Sequence, residues 1–188
     1  MKPIWLAAAL VLSAHGVHAD QYTETMKSFA RDNMSWVNDP IVVDAIRAQN
    51  MRTRALSQPQ IDEMDRNWRQ QVGLASRPLI DPVLNNPTSD FLRRHVEGSD
   101  GIMTEVFLMD GRGLNVAASD TTSDYWQGDE EKFSETYGLG AGSIHVSDIE
   151  YDDSTQTYQG QVSITIVDPT SGEVIGAATV GLNAEMLF

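Results

Sequence analysis

Cysteine is absent from the sequence, and this absence excludes several kinds of chemistry at once. Thiol catalysis and thiolate metal sites are impossible without its side chain. Disulfides are excluded as well, so packing of a hydrophobic core must stabilise the fold. A chain of 188 residues is long enough to build such a core.

Basic residues are also scarce, with 13 Lys and Arg against 27 Asp and Glu and a formal net charge of −14. This charge repels phosphate backbones and anionic lipid headgroups, so we expect no nucleic-acid partner and no attachment to a membrane surface. Two interpretations stay open: a cationic partner, or an acidic surface that keeps an exported protein in solution.

A long apolar run occurs only at the start of the chain. Residues 4–14 are mostly apolar after Lys2, and Val17 and Ala19 place small residues at two key positions of a signal-peptidase site. The run is shorter than the ~20 residues that span a bilayer, which argues against the alternative of a membrane anchor. We therefore predict a secretory signal peptide over residues 1–19.

Removal of that segment leaves residues 20–188 as the mature protein. Its length suits a single domain, and no later run is apolar for long enough to cross a membrane. We therefore expect a periplasmic protein of one domain.

The first part of the mature chain has the apolar spacing of helices, up to a turn cluster that ends at Gly101. Asp39 and Pro40 have the character of a helix cap and first helical position, and Ser57 predicts the start of another helix. Apolar residues then recur at helical intervals along the helix that begins at Ser57: Ile61, Met64, Trp68 and Val72. This spacing places Trp68 in the core.

After Gly101 the pattern changes to short apolar or alternating runs separated by turns. Val162, Ile164 and Ile166 alternate with polar residues, which predicts a half-buried strand. Strands are predicted over residues 102–109, 114–118, 144–151, about 162–166 and 174–182. The order predicts an α+β domain, with an antiparallel five-stranded sheet, a long N-terminal helix and further helices packed on one side.

The stretch between the second and third predicted strands carries the densest set of chemically useful side chains. Tyr125 and Trp126 offer flat apolar faces, while Asp120 and Asp129 offer carboxylates that pair with an ammonium group. These four residues form the candidate ligand-binding set. The alternative is a loop whose aromatic side chains pin it to the sheet and whose acids face water.

Patterns for catalysis or metal binding are missing from the mature sequence. Its acids lack the spacing and central glycine of an EF-hand, and His95 and His145 do not have a zinc-binding spacing. Gly138, Gly140 and Gly142 are not followed by the Lys-Ser/Thr of a phosphate-binding loop, and no Gly-x-Ser-x-Gly occurs. We therefore predict no enzyme activity, no cofactor and no metal.

Four segments together resemble a known family of bacterial sensor modules. They are the Asp-x-x-Trp-Arg element from Asp65 to Arg69, the hairpin over residues 106–117, the loop over 122–130 and the final hairpin over 167–176. In this order they resemble the single Cache (PDC) domain, a PAS-like extracytoplasmic sensor domain. The resemblance implies a PAS-like sheet on which the 122–130 loop covers a ligand pocket.

The resemblance also implies a ligand and a partner. The expected ligand is an amine, an amino acid or a short carboxylate. The chain ends at Phe188, directly after the last predicted strand, so signalling is expected to need a separate membrane receptor or kinase. A homodimer through the N-terminal helix is a further option. The alternative function is a structural or interaction protein of the cell envelope whose pocket is filled by its own side chains.

Overall fold

The computed structural model describes residues 15–152 and 156–187. Most of the predicted signal peptide therefore lies outside the described residues, and the predicted cleavage point after Ala19 falls within the first helix. No helix in the described ranges is both long enough and apolar enough to cross a membrane.

Helices make up most of the chain before the sheet, and local residues set where they begin. The Asp39 carboxylate accepts a hydrogen bond from the Ile41 amide at 3.0 Å, and Pro40 is the first helical residue. The Ser57 amide donates to Gln60 Oε1 at 2.9 Å, so both predicted helix starts are confirmed. The helices are α1 (His15–Asn33), α2 (Pro40–Thr53), α3 (Gln58–Gln71), α4 (Ile80–Leu84), α5 (Pro87–Glu97), α6 (Glu131–Ser134) and α7 (Ala184–Leu187), with a 3-10 turn at Ser35–Asn38.

The sheet is antiparallel and has six strands, one more than predicted. They are β1 (Met103–Asp110), β2 (Asn115–Ala118), β3 (Ile144–Val146), β4 (Glu150–Asp152), β5 (Thr157–Val167) and β6 (Val174–Asn183). Their order is β2-β1-β6-β5-β3, and β4 also pairs with β5. The predicted third strand is divided into β3 and β4, because the Gln161 amide donates to Ser147 Oγ at 2.8 Å and this side-chain bond interrupts the ladder. The α+β class is confirmed.

The two faces of the sheet are covered differently. Helices α1, α2 and α5 pack on the first face, where Met26 and Ile46 are buried against the strands. The second face carries Phe107, Met109 and Ala177, and residues of α3, α4 and α6 belong to the same buried cluster. The sequence predicted helices on one side of the sheet only. The second face is covered as well, because its apolar side chains must also be removed from water.

Candidate functional site

The second face of the sheet has a polar floor formed by β5 and β6. Alternating positions of β5 share this face: Gln159, Gln161, Ser163 and Thr165. Ser163 pairs with Thr179 of β6, and their buried hydroxyls lie 2.8 Å apart in a hydrogen bond. Buried polar groups need hydrogen-bonding partners, and the Ser163–Thr179 pair satisfies this need within the protein.

A roof over this floor is formed by α6 and the loop that follows it. Lys132 Nζ lies 5.5 Å from the centre of the Phe107 ring and 2.9 Å from Glu130 Oε2. The Thr165 hydroxyl donates to the Gly140 carbonyl at 2.8 Å. The roof is therefore attached to both β1 and β5.

A row of paired polar groups continues at the open edge of the floor. His145 of β3 lies opposite Ser163 in the ladder, and its Nδ1 is 2.9 Å from Glu135 Oε2. Gln161 Nε2 donates to Glu105 Oε1 at 2.8 Å. The His145 side chain is only 10% exposed, so it contributes to the wall of the site and not to the outer surface.

A cavity of about 680 Å³ opens between the roof, the floor and the β3–β4 edge, and we call it the acidic cavity. Its volume falls within the roughly 300–1,000 Å³ typical of small-molecule sites. Five carboxylates line it, against the basic groups of Lys132 and His145: Asp129, Glu130, Glu131, Asp148 and Glu150. This excess of negative charge favours a ligand that carries positive charge.

The two predicted acids of the loop are placed apart. Asp129 is exposed and lines the acidic cavity. Asp120 is also exposed but lies outside the residues that line that cavity. Within the described ranges, no three His, Asp or Glu side chains are grouped closely enough to hold a metal ion.

The two predicted aromatic residues are held by the protein itself. Tyr125 is 5% exposed and stacks on Trp68, with ring centres 5.3 Å apart. Trp126 Nε1 donates to the Arg112 carbonyl at 2.9 Å. Neither ring lines the acidic cavity, and both fasten the loop to its neighbours.

The Asp-x-x-Trp-Arg element of α3 fixes the path of this loop. Trp68 is fully buried, and Asp65 Oδ1 accepts hydrogen bonds from the amides of Tyr125 and Trp126 at 2.9 and 3.1 Å. The predicted Asp65–Arg69 pair is present at 2.8 Å. Burial is the main cause that raises the pKa of the neighbouring Asp124 carboxyl, with smaller contributions from nearby acids.

Sequence reasoning missed Lys132, His145 and Gln161 as site residues. His145 was considered only as a zinc ligand, and β5 was predicted as a half-buried strand without a role for its polar positions. The usable signal was the succession of four polar residues on one face of β5, opposite an apolar face. Sequence alone does not show that α6 covers this polar face.

Comparison with known proteins gives matches only among solved structures, because no family model and no curated protein matches the chain. The sensor domain of the V. cholerae histidine kinase DctB matches with a TM-score of 0.52 at 14% identity. The fold is therefore the one expected from the resemblance to the Cache (PDC) domain. The match covers 92% of this chain but 56% of the DctB domain, so the Cache-type fold seen here corresponds to part of that domain.

Two further sensor domains are similar at lower scores. The E. coli DcuS sensor domain has a TM-score of 0.45 at 11% identity and 92% coverage of both chains. The C. jejuni chemoreceptor Tlp3 sensory domain with isoleucine bound has a TM-score of 0.41 at 14% identity, covering 88% of this chain and 64% of that one. The assignment of the Cache-type fold depends on the DctB match and not on these two.

Proposed function

We propose that this chain is an exported ligand-sensing domain whose ligand is a small solute with a protonated amine. The acidic cavity carries the proposal, because its five carboxylates outnumber the basic groups of Lys132 and His145, and strand β5 adds polar side chains to its wall. The fold supports a sensing role, since the DctB domain that shares it belongs to a histidine kinase.

The charges around the acidic cavity favour an amine over a simple carboxylate. Lys132 is paired with Glu130 and His145 with Glu135, each at 2.9 Å, so a bound anion must compete with a carboxylate for either basic group. An ammonium group beside Asp129 forms a charge-assisted hydrogen bond without breaking such a pair. An amino acid fits if Lys132 exchanges Glu130 for the ligand carboxylate.

The proposal includes a periplasmic location and a membrane receptor or kinase that responds to occupancy. Export is supported by the signal-peptide pattern over residues 1–19. The alternative, a structural module of the envelope with a self-filled pocket, is supported by the internal contacts of Tyr125 and Trp126. Ligand titration separates the two.

The test is a thermal-shift screen of the exported protein, followed by calorimetric titration. We expect amines or amino acids to raise the melting temperature, because a ligand of the folded state stabilises it by RT ln(1 + [L]/Kd). Asp129→Asn should weaken amine binding by roughly three- to tenfold, since it removes the charge and keeps the shape. Asp120→Asn, on the same loop but outside the cavity, is the matched control and should bind normally.

A second variant distinguishes amino acids from plain amines. Lys132→Gln should weaken ligands that carry a carboxylate, whereas plain amines should bind as well or more tightly, because the change removes a positive charge from the cavity. Equal losses of amine affinity in Asp129→Asn and Asp120→Asn would contradict the assignment of the amine to the acidic cavity. If no amine or amino acid changes the melting temperature, the proposal is wrong and the self-filled structural module is favoured.

A further inference from the structure

A second cavity, of about 790 Å³, lies between α2 and the α3–α4 pair, and we call it the helical cavity. It shares no lining residue with the acidic cavity. Most of its wall is apolar and includes Leu56, Met64, Leu79, Val83 and Val116. A cavity of this size and lining is suited to the apolar body of a small molecule.

Tyr125 supplies a polar group to the wall of the helical cavity. The residue is 5% exposed, and its hydroxyl forms no hydrogen bond with any other residue that the structure describes. Burial is the main cause that raises the pKa of this phenol, and the Asp110 carboxylate adds to the effect, so the hydroxyl remains a neutral donor. A ligand oxygen in the cavity can therefore accept a hydrogen bond from it.

Arg52 supplies a positive charge at the same cavity. Its exposed side chain has no ion-pair partner within the described part of the chain, and it acts on the Tyr125 phenol by lowering its pKa against the effect of burial. The acid that also borders the cavity, Asp44, is paired with Arg47 at 3.1 Å. Asp44 precedes Arg52 by eight residues of α2, a separation of about 12 Å along a helix.

We propose that the helical cavity binds a small carboxylic acid with an apolar body. The carboxylate accepts hydrogen bonds from the Arg52 guanidinium and the Tyr125 hydroxyl, and the body packs against Leu79 and Val83. Charge complementarity decides the class, because Arg52 has no ion-pair partner in the described part of the chain, whereas Asp44 is already paired with Arg47. This site is separate from the one proposed for an amine.

Phenylacetate is the probe, and phenylacetamide is its uncharged analogue of nearly the same shape. Calorimetric titration of the exported protein should show phenylacetate binding that weakens about tenfold or more in Arg52→Gln, with phenylacetamide affinity unchanged. Arg54→Gln is the matched control, because Arg54 is also exposed but does not line the cavity. Tyr125→Phe removes only the hydroxyl and should weaken both probes.

Two further variants locate the probe. Ala48→Phe places a large side chain into the helical cavity from α2 and should abolish phenylacetate binding, while Asp129→Asn in the acidic cavity should leave it unchanged. The proposal is overturned if phenylacetate does not bind at millimolar concentration or binds Ala48→Phe as well as the parent. Equal losses in Arg52→Gln and Arg54→Gln would also overturn it, because they indicate attraction to surface charge alone.

Discussion

Asp168 joins parts of the chain that are far apart in sequence. It lies in the turn between β5 and β6 and accepts a hydrogen bond from Arg47 Nε of α2 at 2.7 Å. The Thr170 amide donates to the same carboxylate at 2.8 Å. The hydrogen bond from Arg47 is the main cause that holds the pKa of Asp168 well below its ordinary value. One side chain thus fastens the last hairpin to the helical layer.

Replacement of Asp168 by Asn should therefore give a stability loss that depends on pH. Because the folded-state pKa is lowered, the stabilisation is fully present above the ordinary pKa of 3.8 and is lost as the pH falls towards the folded value. Urea unfolding should show a clear deficit for Asp168→Asn at neutral pH that narrows as the pH falls below 4.

Asp44→Asn serves as the control for that measurement. Asp44 pairs with the same Arg47 at 3.1 Å but is 69% exposed, so its removal should change stability little at any pH. A deficit in Asp168→Asn that stays constant between neutral pH and pH 3 would contradict the assigned role of its charge.

At the scale of elements, the loop before α6 crosses the β1–β2 hairpin in close backbone contact. Gly113 has a φ of +77°, and a Cβ atom there would lie 2.5 Å from Gly128 Cα. The Gln127 amide donates to the Gly113 carbonyl at 2.7 Å. The contact thus requires glycine for two reasons, the positive φ and the lack of space.

Gly113→Ala should lower the free energy of unfolding by more than backbone strain alone. Gly73→Ala is the matched control, since Gly73 has a φ of +79° and nothing within 4 Å of the added Cβ. We expect about 1 kcal/mol of strain in the control and a larger loss, up to about 3 kcal/mol, in Gly113→Ala. Equal losses in urea titrations would show that the loop can move away from the hairpin without cost.

The elements with local signals were predictable. Asp39 and Ser57 mark helix starts through side chains within three residues of the cap, and the helical spacing around Trp68 placed that ring in the core. The division between β3 and β4 was not predictable, because it depends on a bond from Gln161, 14 positions away from Ser147. Long-range bonds of this kind leave no mark on the local apolar pattern.

The site was predictable only in part for the same reason. Asp129 was selected as a charged residue of the loop, and it lines the acidic cavity. Tyr125 and Trp126 were selected for chemistry that suits a ligand, but the same chemistry suits a contact with Trp68 or the Arg112 carbonyl. Sequence shows which groups a loop offers, whereas tertiary packing decides which of them face a cavity.

At the scale of the whole molecule, the excess of acids should make stability depend on salt. The excess carboxylates, which give a net charge of −14, repel one another in the compact state, and salt screens this repulsion. We expect the melting temperature at neutral pH to rise when NaCl increases from about 0.02 M to about 0.5 M.

The control is the same salt series near the sequence pI of about 4.4, where the net charge is small and the rise should nearly disappear. A salt effect of the same size at both pH values would show that screening of the net charge is not its cause, since a general effect of salt on burial acts at either pH.

Strand β5 separates the polar floor on one face of the sheet from helix α1 on the other. Gln161 contributes to the polar floor on one side, while Gly160, the residue before it, leaves room on the other for Met26 of α1. A Cβ on Gly160 would be 2.9 Å from the Met26 Cε atom, so the Met26 side chain packs directly against the strand backbone. Because packed interiors transmit strain, we expect a small displacement of the floor to be passed on to α1.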